Sequence, residues 1–291
     1  MSYYNYWEMG KKIYYENDCF IILVTPIITS DLSEKDVEDL NNKKWVIKIL
    51  NEKRFSENEV GRISAYELYN CIHSIKFPKN VNYRSGRYEK ISWYVIEYLP
   101  DCIKSCTEQI KDNLNKFVTD IINFLEWLHV KKNKVHGDIK SANIVCDISK
   151  NIYRLIDFEH TFNINHILCM NDIPNGYYYY AFGCEYDKPY TSYRNDLESF
   201  GYILWNIIES KNNVFELFDW QLKAISYYSE ENCTNNFVYL EDLKKNHNIK
   251  KPHIIKQYFD IISELDWNET CPSKEIYEKI RNIFTSFSLI K

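Results

Sequence analysis

The segment VHGDIKSANIV at residues 135–145 carries the side chains with the clearest chemical potential. Asp138 is followed by Lys140 and then by Asn143, with apolar residues on both sides, and Asp157 ends an apolar run further along. Transfer of a phosphoryl group needs a carboxylate base, an amine near the phosphate and oxygen ligands for magnesium. The spacing therefore predicts Asp138 as the base and Lys140 at the phosphate. Asn143 and Asp157 are the predicted metal ligands.

The periodicity of apolar residues changes near residues 100–101. Three earlier runs are rich in β-branched and aromatic residues, which is typical of strands: FIILVTPII (20–28), KWVIKIL (44–50) and ISWYVIEYL (91–99). Beyond that point apolar residues recur at helical spacing. We therefore predict an α+β fold with two lobes, a small β-rich lobe at residues 1–100 and a larger helical lobe at 101–291.

Helices are expected to carry and support the loop around Asp138. The predicted helices cover residues 114–128, 196–209, 254–265 and 274–287, and a further helical stretch lies at about 52–73 in the first lobe. In the first helix the apolar side chains fall on one face: Leu114, Phe117, Val118, Ile121, Leu125 and Leu128. This helix leads directly into the loop, so it predicts a packed support for Asp138.

Asp196 opens the predicted helix DLESFGYILW and has two interpretations. An aspartate at a helix N-terminus caps backbone amides and is stabilised by the helix dipole. Alternatively, its carboxylate holds the backbone of the loop that carries Asp138. The sequence leaves both interpretations open.

The chain has seven glycines, and none lies between residues 11 and 60. A turn that wraps phosphate groups relies on glycine, because a side chain keeps the backbone amides away from the phosphate oxygens. The expected turn is YYENDC at 14–19, where Tyr14, Glu16 and Cys19 stand at the glycine positions. Glu16 also adds a negative charge. We therefore expect this turn to disfavour ATP.

A second glycine is missing directly after the predicted metal ligand. Asp157-Phe158 is followed by Glu159, where glycine would give the turn freedom to orient the aspartate. We expect Glu159 to restrict the turn and to add a carboxylate near the metal. It either coordinates metal directly or locks the segment.

Composition limits the class of protein. Hydrophobic residues make up 45% of the 291 residues, which indicates a globular chain, and the net charge of −5 gives no reason to expect direct nucleic-acid binding. The N-terminus lacks an apolar signal region, and no apolar run is long enough to span a membrane.

The nine cysteines include no Cys-x-x-Cys pair, so we predict reduced thiols in an intracellular protein of the cytoplasm or nucleus. Cys102 and Cys106 are expected to share a helix face.

These motifs resemble the protein kinases, and within them the casein kinase branch. HGDIK in place of the commoner His-Arg-Asp, followed by DLESFGY, looks like the vaccinia-related kinase subfamily, including its poxvirus members. Trp7-x-x-Gly10 and the run Ser192-x-Arg194-x-Asp196-Leu197-Glu198 fit as well. The resemblance covers about residues 7–267 and implies a two-lobed protein kinase fold. Gly137 replaces the arginine that binds a phosphorylated activation loop in many kinases, which implies independence from that switch.

The resemblance also implies a nucleotide site in the first lobe. Lys48 lies in the strand WVIKIL and would bind the α- and β-phosphates of ATP; the alternative is a lysine on an edge strand that faces solvent. Its expected partner is a glutamate of the next helix. Glu57, Glu59 and Glu67 are all candidates, and we choose Glu57.

The adenine ring is expected to bind the strand that ends the first lobe. The run Val95-Ile96-Glu97-Tyr98-Leu99 would offer backbone groups to adenine, and we predict Glu97 and Leu99 as the two binding positions. Adenine binding requires only that the side chains of this strand be apolar. The pattern therefore indicates a nucleotide site only in combination with the other motifs.

Two functions follow from this combination. One is a pseudokinase with impaired use of ATP, which acts by binding partner proteins. The other is an active Ser/Thr protein kinase that uses ATP and Mg²⁺. We favour the pseudokinase, because both missing glycines concern the same phosphate groups, and a degenerate poxvirus copy of this kinase would fit. The resemblance also implies a protein partner, either a host protein or substrate such as barrier-to-autointegration factor, and no direct contact with nucleic acid or membrane.

Overall fold

The structure is a computed structural model of the chain. It describes residues 7–16, 19–28, 34–51, 85–88, 91–158, 161–164, 184–185, 188–189, 192–209, 252–265 and 272–288. The chain forms two compact units, Met1–Pro100 and Asp101–Lys291. The first is built on a β-sheet and the second is mainly helical, so the predicted α+β class is confirmed.

A five-stranded antiparallel sheet forms the core of the first unit. Its strands are β1 (Trp7–Glu16), β2 (Cys19–Pro26), β3 (Trp45–Asn51), β4 (Ser85–Tyr88) and β5 (Ile91–Glu97), in the spatial order β1-β2-β3-β5-β4. The central strand β3 buries Ile47 and leaves Lys48 half-buried. Lys48 pairs with Ile21 of β2 and with Tyr94 of β5. It therefore lies on a central strand, and the edge-strand interpretation is wrong.

The first two strands approach each other closely at Gly10. A Cβ atom at this position would lie 2.9 Å from the carbonyl oxygen of Leu23 in β2. A side chain would therefore push β1 away from β2, and glycine is required here for close backbone packing rather than for a turn. The pairing register shifts nearby, between Met9 and Lys12 and again before Tyr14.

Strands β1 and β2 pair with each other up to the residues that were predicted to form the phosphate turn. Tyr14 pairs with Ile21, and Glu16 pairs with Cys19, so these positions belong to β1 and β2 rather than to a six-residue turn. The connecting residues 17–18 lie outside the described residues. The backbone at Tyr14, Glu16 and Cys19 is therefore engaged in a strand ladder.

A helix, α1 (Glu34–Asn41), lies between β2 and β3 and was not predicted. The buried Trp45 indole donates a hydrogen bond from Nε1 to the carbonyl oxygen of Leu40 at 2.9 Å. This bond satisfies a carbonyl at the helix C-terminus and fixes the entry into β3. The predicted helical stretch at 52–73 lies outside the described residues.

Five helices form the described core of the second unit. They are α2 (Thr107–Asp112), α3 (Leu114–Glu126), α4 (Tyr193–Glu209), α5 (His253–Ser263) and α6 (Lys274–Ser288). The predicted apolar face of α3 is buried, and α3 packs on α6. Beyond Glu126 the chain continues as a π-helical turn, Trp127–Lys131.

Helix α4 lies in the middle of this unit. Fourteen of its 17 residues are buried, and they include polar side chains such as Asn195, Asp196 and Glu198 as well as apolar ones. It packs on α5, where a Cβ atom at Gly201 would lie 2.6 Å from the Tyr258 ring. A glycine inside a helix normally costs stability, and here it makes room for the neighbouring ring.

Short strands hold the loop that contains Asp138. They are β6 (Asp101–Cys102), β7 (Lys134–Val135), β8 (Ile144–Asp147), β9 (Ile152–Leu155) and β10 (Phe162–Asn163), and a further hairpin is formed by β11 (Cys184–Glu185) and β12 (Lys188–Pro189). β8 pairs with both β6 and β9, and β7 pairs with β10. Two single-turn 3-10 helices complete the frame, the 103–105 turn and the 141–143 turn.

Candidate active site

Three of the residues predicted for catalysis and metal binding meet in the loop between β7 and β8. Asp138, Lys140 and Asn143 contact one another directly. The Lys140 Nζ donates to Asp138 Oδ2 at 2.6 Å, and the Asn143 Nδ2 donates to the same oxygen at 2.8 Å. Asp138 and Asn143 are buried, whereas Lys140 is half-exposed. The predicted constellation is therefore assembled within the second unit.

The two oxygens of the Asp138 carboxylate have different environments. Oδ2 accepts the two hydrogen bonds from Lys140 and Asn143. Oδ1 is buried and has no hydrogen-bond partner among the described residues. An unsatisfied buried carboxylate oxygen is costly unless it serves a ligand, and it is well suited to accept a proton. The carboxylate is thus oriented through one oxygen and available through the other.

Asn143 is fixed by its backbone and by its amide nitrogen. Its Nδ2 also donates to the Asp138 carbonyl oxygen at 2.8 Å, and its backbone N–H donates to the Lys140 carbonyl at 2.9 Å. Because the amide nitrogen is held on the Asp138 side, Oδ1 points the opposite way. A carbonyl oxygen of this kind is a ligand type that Mg²⁺ accepts.

Asp157 lies next to the loop between β7 and β8, because Ile156, the residue before it, forms two hydrogen bonds with that loop. The Ile156 N–H donates to the Asn143 carbonyl at 2.8 Å, and the Ile156 carbonyl lies 3.1 Å from His136 Nε2. Asp157 itself has a positive φ of 72°, which is uncommon for a residue other than glycine. Such a conformation persists only where the surroundings impose it, and it is found at functional sites. The structure therefore places the second predicted metal ligand beside the first.

Phe158 fixes the other side of Asp157. Its side chain is buried, stacks on Phe124 of α3 at 5.6 Å between ring centroids, and meets the His136 ring edge-on at 5.2 Å. These contacts tie the segment after β9 to the helix that supports the loop. Glu159, the predicted replacement for glycine, lies outside the described residues.

Asp196 holds the backbone of the loop, as one of its two interpretations proposed. Its Oδ2 accepts the His136 N–H at 2.6 Å, and its Oδ1 accepts the Gly137 N–H at 3.0 Å. Asp196 is the fourth residue of α4, so the capping interpretation is wrong. The bonds at the helix start come from Ser192 and Asn195 instead: the Arg194 N–H donates to the Ser192 hydroxyl, and the Ser192 N–H donates to Asn195 Oδ1.

Gly137 adopts a positive φ of 78° at this point of contact. Glycine reaches this conformation without the penalty that a Cβ atom imposes. The turn presents two consecutive N–H groups to one carboxylate. The glycine is therefore used for backbone conformation in the structure.

Two further residues of this network were missed by sequence reasoning. His129 Nε2 lies 2.9 Å from Asp196 Oδ2, and His129 Nδ1 lies 2.8 Å from the Tyr277 hydroxyl of α6. His129 is 1% exposed and Tyr277 is fully buried. A polar residue directly after the apolar face of α3 was the available signal for His129, because a buried polar group needs a partner.

His136 is held as the neutral imidazole. Its Nδ1 accepts the Asp138 N–H at 3.2 Å, so Nε2 carries the proton and donates to the Ile156 carbonyl. Burial lowers the pKa of His136 below its usual value of 6.5, although the charges of Asp196, Asp138 and Asp157 act in the opposite direction. The ring therefore links the residues around Asp138 to β9 without adding a charge.

This burial predicts a loss of stability in mild acid. The unfolded chain binds a proton at His136 near pH 6.5, whereas the folded chain resists it. The contribution of His136 is therefore complete above about pH 6.5 and is lost as the pH falls towards the lower folded-state pKa, by up to about 1.4 kcal/mol per pH unit. Urea unfolding at pH 7.5, 6.5 and 5.5 measures this slope.

The matched variants for this measurement are His136→Asn and His253→Asn. His253 is exposed at the start of α5 and provides the control substitution. His136→Asn should lower stability at neutral pH and flatten the slope below pH 6.5. An unchanged slope in His136→Asn would contradict the assignment of the titration to this residue.

The predicted nucleotide-binding residues lie in the first unit. Lys48 is in β3, Glu97 ends β5 and Leu99 follows it; Glu97 and Leu99 are buried. The Tyr98 N–H donates to the Lys44 carbonyl at 2.8 Å, which fixes the course of the chain between Glu97 and Leu99. Glu57, the predicted partner of Lys48, lies outside the described residues.

Neither a clustered metal site nor a membrane span is present in the described part of the chain. No group of three or more His, Cys, Asp or Glu side chains there could hold a metal ion. None of the helices described above has the length and apolar character to cross a membrane. Asn143 and Asp157 stay the predicted magnesium ligands, and such a pair fits an ion that also binds phosphate and water.

Comparison with known proteins gives three matches. The family model for the protein kinase domain matches residues 34–265. The dual specificity protein kinase zakA of Dictyostelium discoideum is 29% identical over 114 residues, which is 38% of this chain and 14% of that protein. Fibroblast growth factor receptor 1 of Xenopus laevis is 25% identical over 219 residues, or 72% of this chain and 26% of the receptor. The matched regions therefore cover about a quarter or less of these two relatives.

Proposed function

Because this chain belongs to the protein kinase domain family, we propose that it transfers a phosphoryl group from ATP to serine or threonine hydroxyl groups of a protein. One observation carries the proposal. Asp138 is oriented through Oδ2 while its buried Oδ1 has no hydrogen-bond partner in the described part of the chain. A hydroxyl group would satisfy that oxygen and would transfer its proton to it as phosphorus–oxygen bond formation proceeds.

Lys140 supports transfer through its charge. Its ammonium group lies 2.6 Å from Asp138 and is half-exposed, so it is accessible to a phosphoryl group while it still orients the carboxylate. A positive charge here would stabilise the negative charge that develops on the transferred group. The proposed Ser/Thr specificity comes from the resemblance to the vaccinia-related kinases.

The donor set beside Asp138 fits magnesium. Asn143 and Asp157 offer an amide oxygen and a carboxylate, and the Ile156 bonds hold the two residues next to each other. A bound Mg²⁺ ion neutralises phosphate charge and aligns the leaving group. Few protein ligands are needed, because Mg²⁺ usually keeps waters and phosphate oxygens in its coordination sphere.

The nucleotide would bind to the first unit through backbone groups and Lys48. The Tyr98 N–H is already used by Lys44, so recognition of adenine falls to the neighbouring peptide groups of Glu97 and Leu99. Lys48 would contact the phosphates, as the resemblance to protein kinases implies, and Glu57 is its proposed partner.

A second candidate function is a pseudokinase that binds partner proteins. The observation in its favour is the sequence at the phosphate turn, where Tyr14, Glu16 and Cys19 replace glycine and belong to paired strands. Glu159 adds a further carboxylate after Phe158. In this candidate the chain is related to the vaccinia-related kinases of poxviruses, and its partner is a kinase substrate or host protein such as barrier-to-autointegration factor.

Weak binding of ATP is expected in either case. The missing glycines and the charge of Glu16 disfavour binding of the triphosphate. We therefore expect a dissociation constant for Mg-ATP larger than about 100 µM, which corresponds to a binding free energy of about −5.5 kcal/mol. A constant of about 1 mM would raise stability by about 1 kcal/mol at 5 mM Mg-ATP. Titration calorimetry and thermal unfolding measure both quantities, and tight micromolar binding would contradict this expectation.

Transfer of radiolabelled phosphate distinguishes the two candidates. The chain is incubated at 5 mM Mg-ATP with a mixture of Ser- and Thr-containing protein substrates, and phosphoamino acids are identified. Formation of phosphoserine or phosphothreonine by the wild type, but not by Asp138→Asn, supports the kinase. Stabilisation by Mg-ATP without any transfer dependent on Asp138 supports the pseudokinase.

A further inference from the structure

Three cysteines surround the 103–105 turn in the second unit. Cys102 is exposed at the end of β6, Cys106 is buried at the N-terminus of α2, and Cys146 is buried in β8. All three thiols are free. Cys102 and Cys106 were expected to share a helix face, and this is wrong: they flank the turn instead. The arrangement nevertheless brings their sulfur atoms close together.

The Ser105 hydroxyl lies between two of these sulfur atoms. Its Oγ is 3.5 Å from Cys102 Sγ and also 3.5 Å from Cys106 Sγ. The two sulfur atoms are therefore separated by no more than twice that distance. The same hydroxyl donates to the Cys102 carbonyl at 2.9 Å. Rotation of the Cys102 and Cys106 side chains around a displaced hydroxyl would close the remaining gap to a disulfide.

The exposed thiol of Cys102 ionises more easily than the buried thiol of Cys146. Desolvation alone would raise the pKa of Cys102. Hydrogen bonds to the thiolate from the backbone of Ser105 and Lys104, and from the Ser105 hydroxyl once it turns from the Cys102 carbonyl to the sulfur, outweigh it and lower the pKa. For Cys146 the reverse holds, because burial and the neighbouring Cys106 raise its pKa. Thiol reactivity follows the thiolate fraction and access, so Cys102 has both requirements and Cys146 has neither.

We propose that Cys102 is a peroxide-reactive thiol that forms a disulfide with Cys106. In the first step the Cys102 thiolate attacks an oxygen of hydrogen peroxide, the O–O bond breaks, and hydroxide leaves as water after protonation. Cys102 is thereby oxidised to a sulfenic acid and the peroxide is reduced. In the second step the Cys106 sulfur attacks the Cys102 sulfur, a second water leaves, and the S–S bond forms.

The disulfide would act on the loop that carries Asp138. The 103–105 turn packs against the 141–143 turn, and the latter ends at Asn143. Closing the disulfide displaces the Ser105 hydroxyl from its position between the sulfur atoms and from the Cys102 carbonyl. The neighbouring turn would loosen as a result, so oxidation of Cys102 would weaken the hydrogen bonds that hold Asn143. This inference does not rest on the proposed function, because thiol chemistry needs no phosphoryl transfer.

The first test uses hydrogen peroxide on the full chain with site-resolved mass spectrometry. In the wild type we expect a Cys102–Cys106 disulfide. In Cys106→Ser, which lacks the proposed resolving thiol, we expect dimedone to trap the sulfenic acid at Cys102. A disulfide between Cys106 and Cys146, or dimedone labelling of Cys146 before Cys102, would overturn the proposal.

A matched pair of serine variants tests the role of the hydroxyl. Ser105→Ala removes the hydrogen bond to Cys102 and should slow its reaction with peroxide about two- to fivefold. Ser149→Ala is the control, because the Ser149 hydroxyl donates to the Asp147 carboxylate at 2.6 Å rather than to a thiol. Equal rates in Ser105→Ala and the wild type would overturn the assignment of this hydroxyl.

Hydrogen exchange tests the link to the loop without any activity assay. The Asn143 and Ile156 amides donate to the Lys140 and Asn143 carbonyls in the reduced protein. After oxidation we expect both amides to exchange about threefold faster or more, and dithiothreitol should restore them. Unchanged exchange in a fully oxidised sample would overturn the link while leaving the thiol chemistry supported.

Discussion

Asp138→Asn is expected to reduce phosphoryl transfer by about 10³-fold or more, with little change in stability. Asparagine has the same size and keeps one oxygen for the contacts with Lys140 and Asn143. It has no basic oxygen to accept the proton of a substrate hydroxyl. The loss should therefore appear in turnover rather than in folding, and radiolabel transfer measures it.

Two further variants test whether the loss of transfer is specific to Asp138. Asp120→Asn makes the same change on the half-exposed side chain that pairs with Lys116 in α3, and it should leave transfer unchanged. Asp157→Asn should abolish transfer by a different route, through the loss of a magnesium ligand. If Asp138→Asn and the wild type transferred phosphate equally, the signal would come from another kinase or from a wrongly assigned base.

Asp196→Ala is expected to give the largest loss of stability, about 3–5 kcal/mol. The change leaves the His136 and Gly137 N–H groups buried without their acceptor, and it also removes the partner of His129. An unsatisfied buried group costs about 1–3 kcal/mol, and several are created at once. Urea unfolding with two independent probes measures the change.

The control makes the same substitution where the carboxylate is exposed. Asp260 pairs with Lys256 on the surface of α5, and Asp260→Ala should cost less than about 0.5 kcal/mol. Tyr277→Phe removes only the hydroxyl that contacts His129 and should cost about 1 kcal/mol. A loss for Asp196→Ala no larger than that for Asp260→Ala would show that the network contributes little to folding.

Local patterns in the sequence were sufficient for much of the fold. The apolar spacing in α3 predicted its buried face, and the spacing of Asp138, Lys140 and Asn143 predicted a set of side chains that do contact one another. Both patterns depend on neighbours within a few residues. The α+β class, the two-lobed kinase fold and the kinase family follow from such patterns and are confirmed by the structure and the family match.

Contacts between distant residues were harder to predict. Nothing close to His129 in the sequence indicates that it bonds to Tyr277, and Asp196 had two equally plausible local interpretations. Helix α1 was missed for another reason: it is short and lies between two strand-forming runs, although its contact with the Trp45 indole is local. The roles assigned to Lys48, Glu97 and Leu99 remain predictions, since they depend on a ligand.

The contact between His129 and Tyr277 also sets an order of events during synthesis. The two residues are 148 positions apart in the chain. A ribosome that adds about 5–20 residues per second needs about 7–30 s to cover that interval. For most of this time the nascent chain contains the loop around Asp138 but lacks the helix that completes its support. We therefore expect the support of this site to be completed only after the last described helix has emerged from the ribosome.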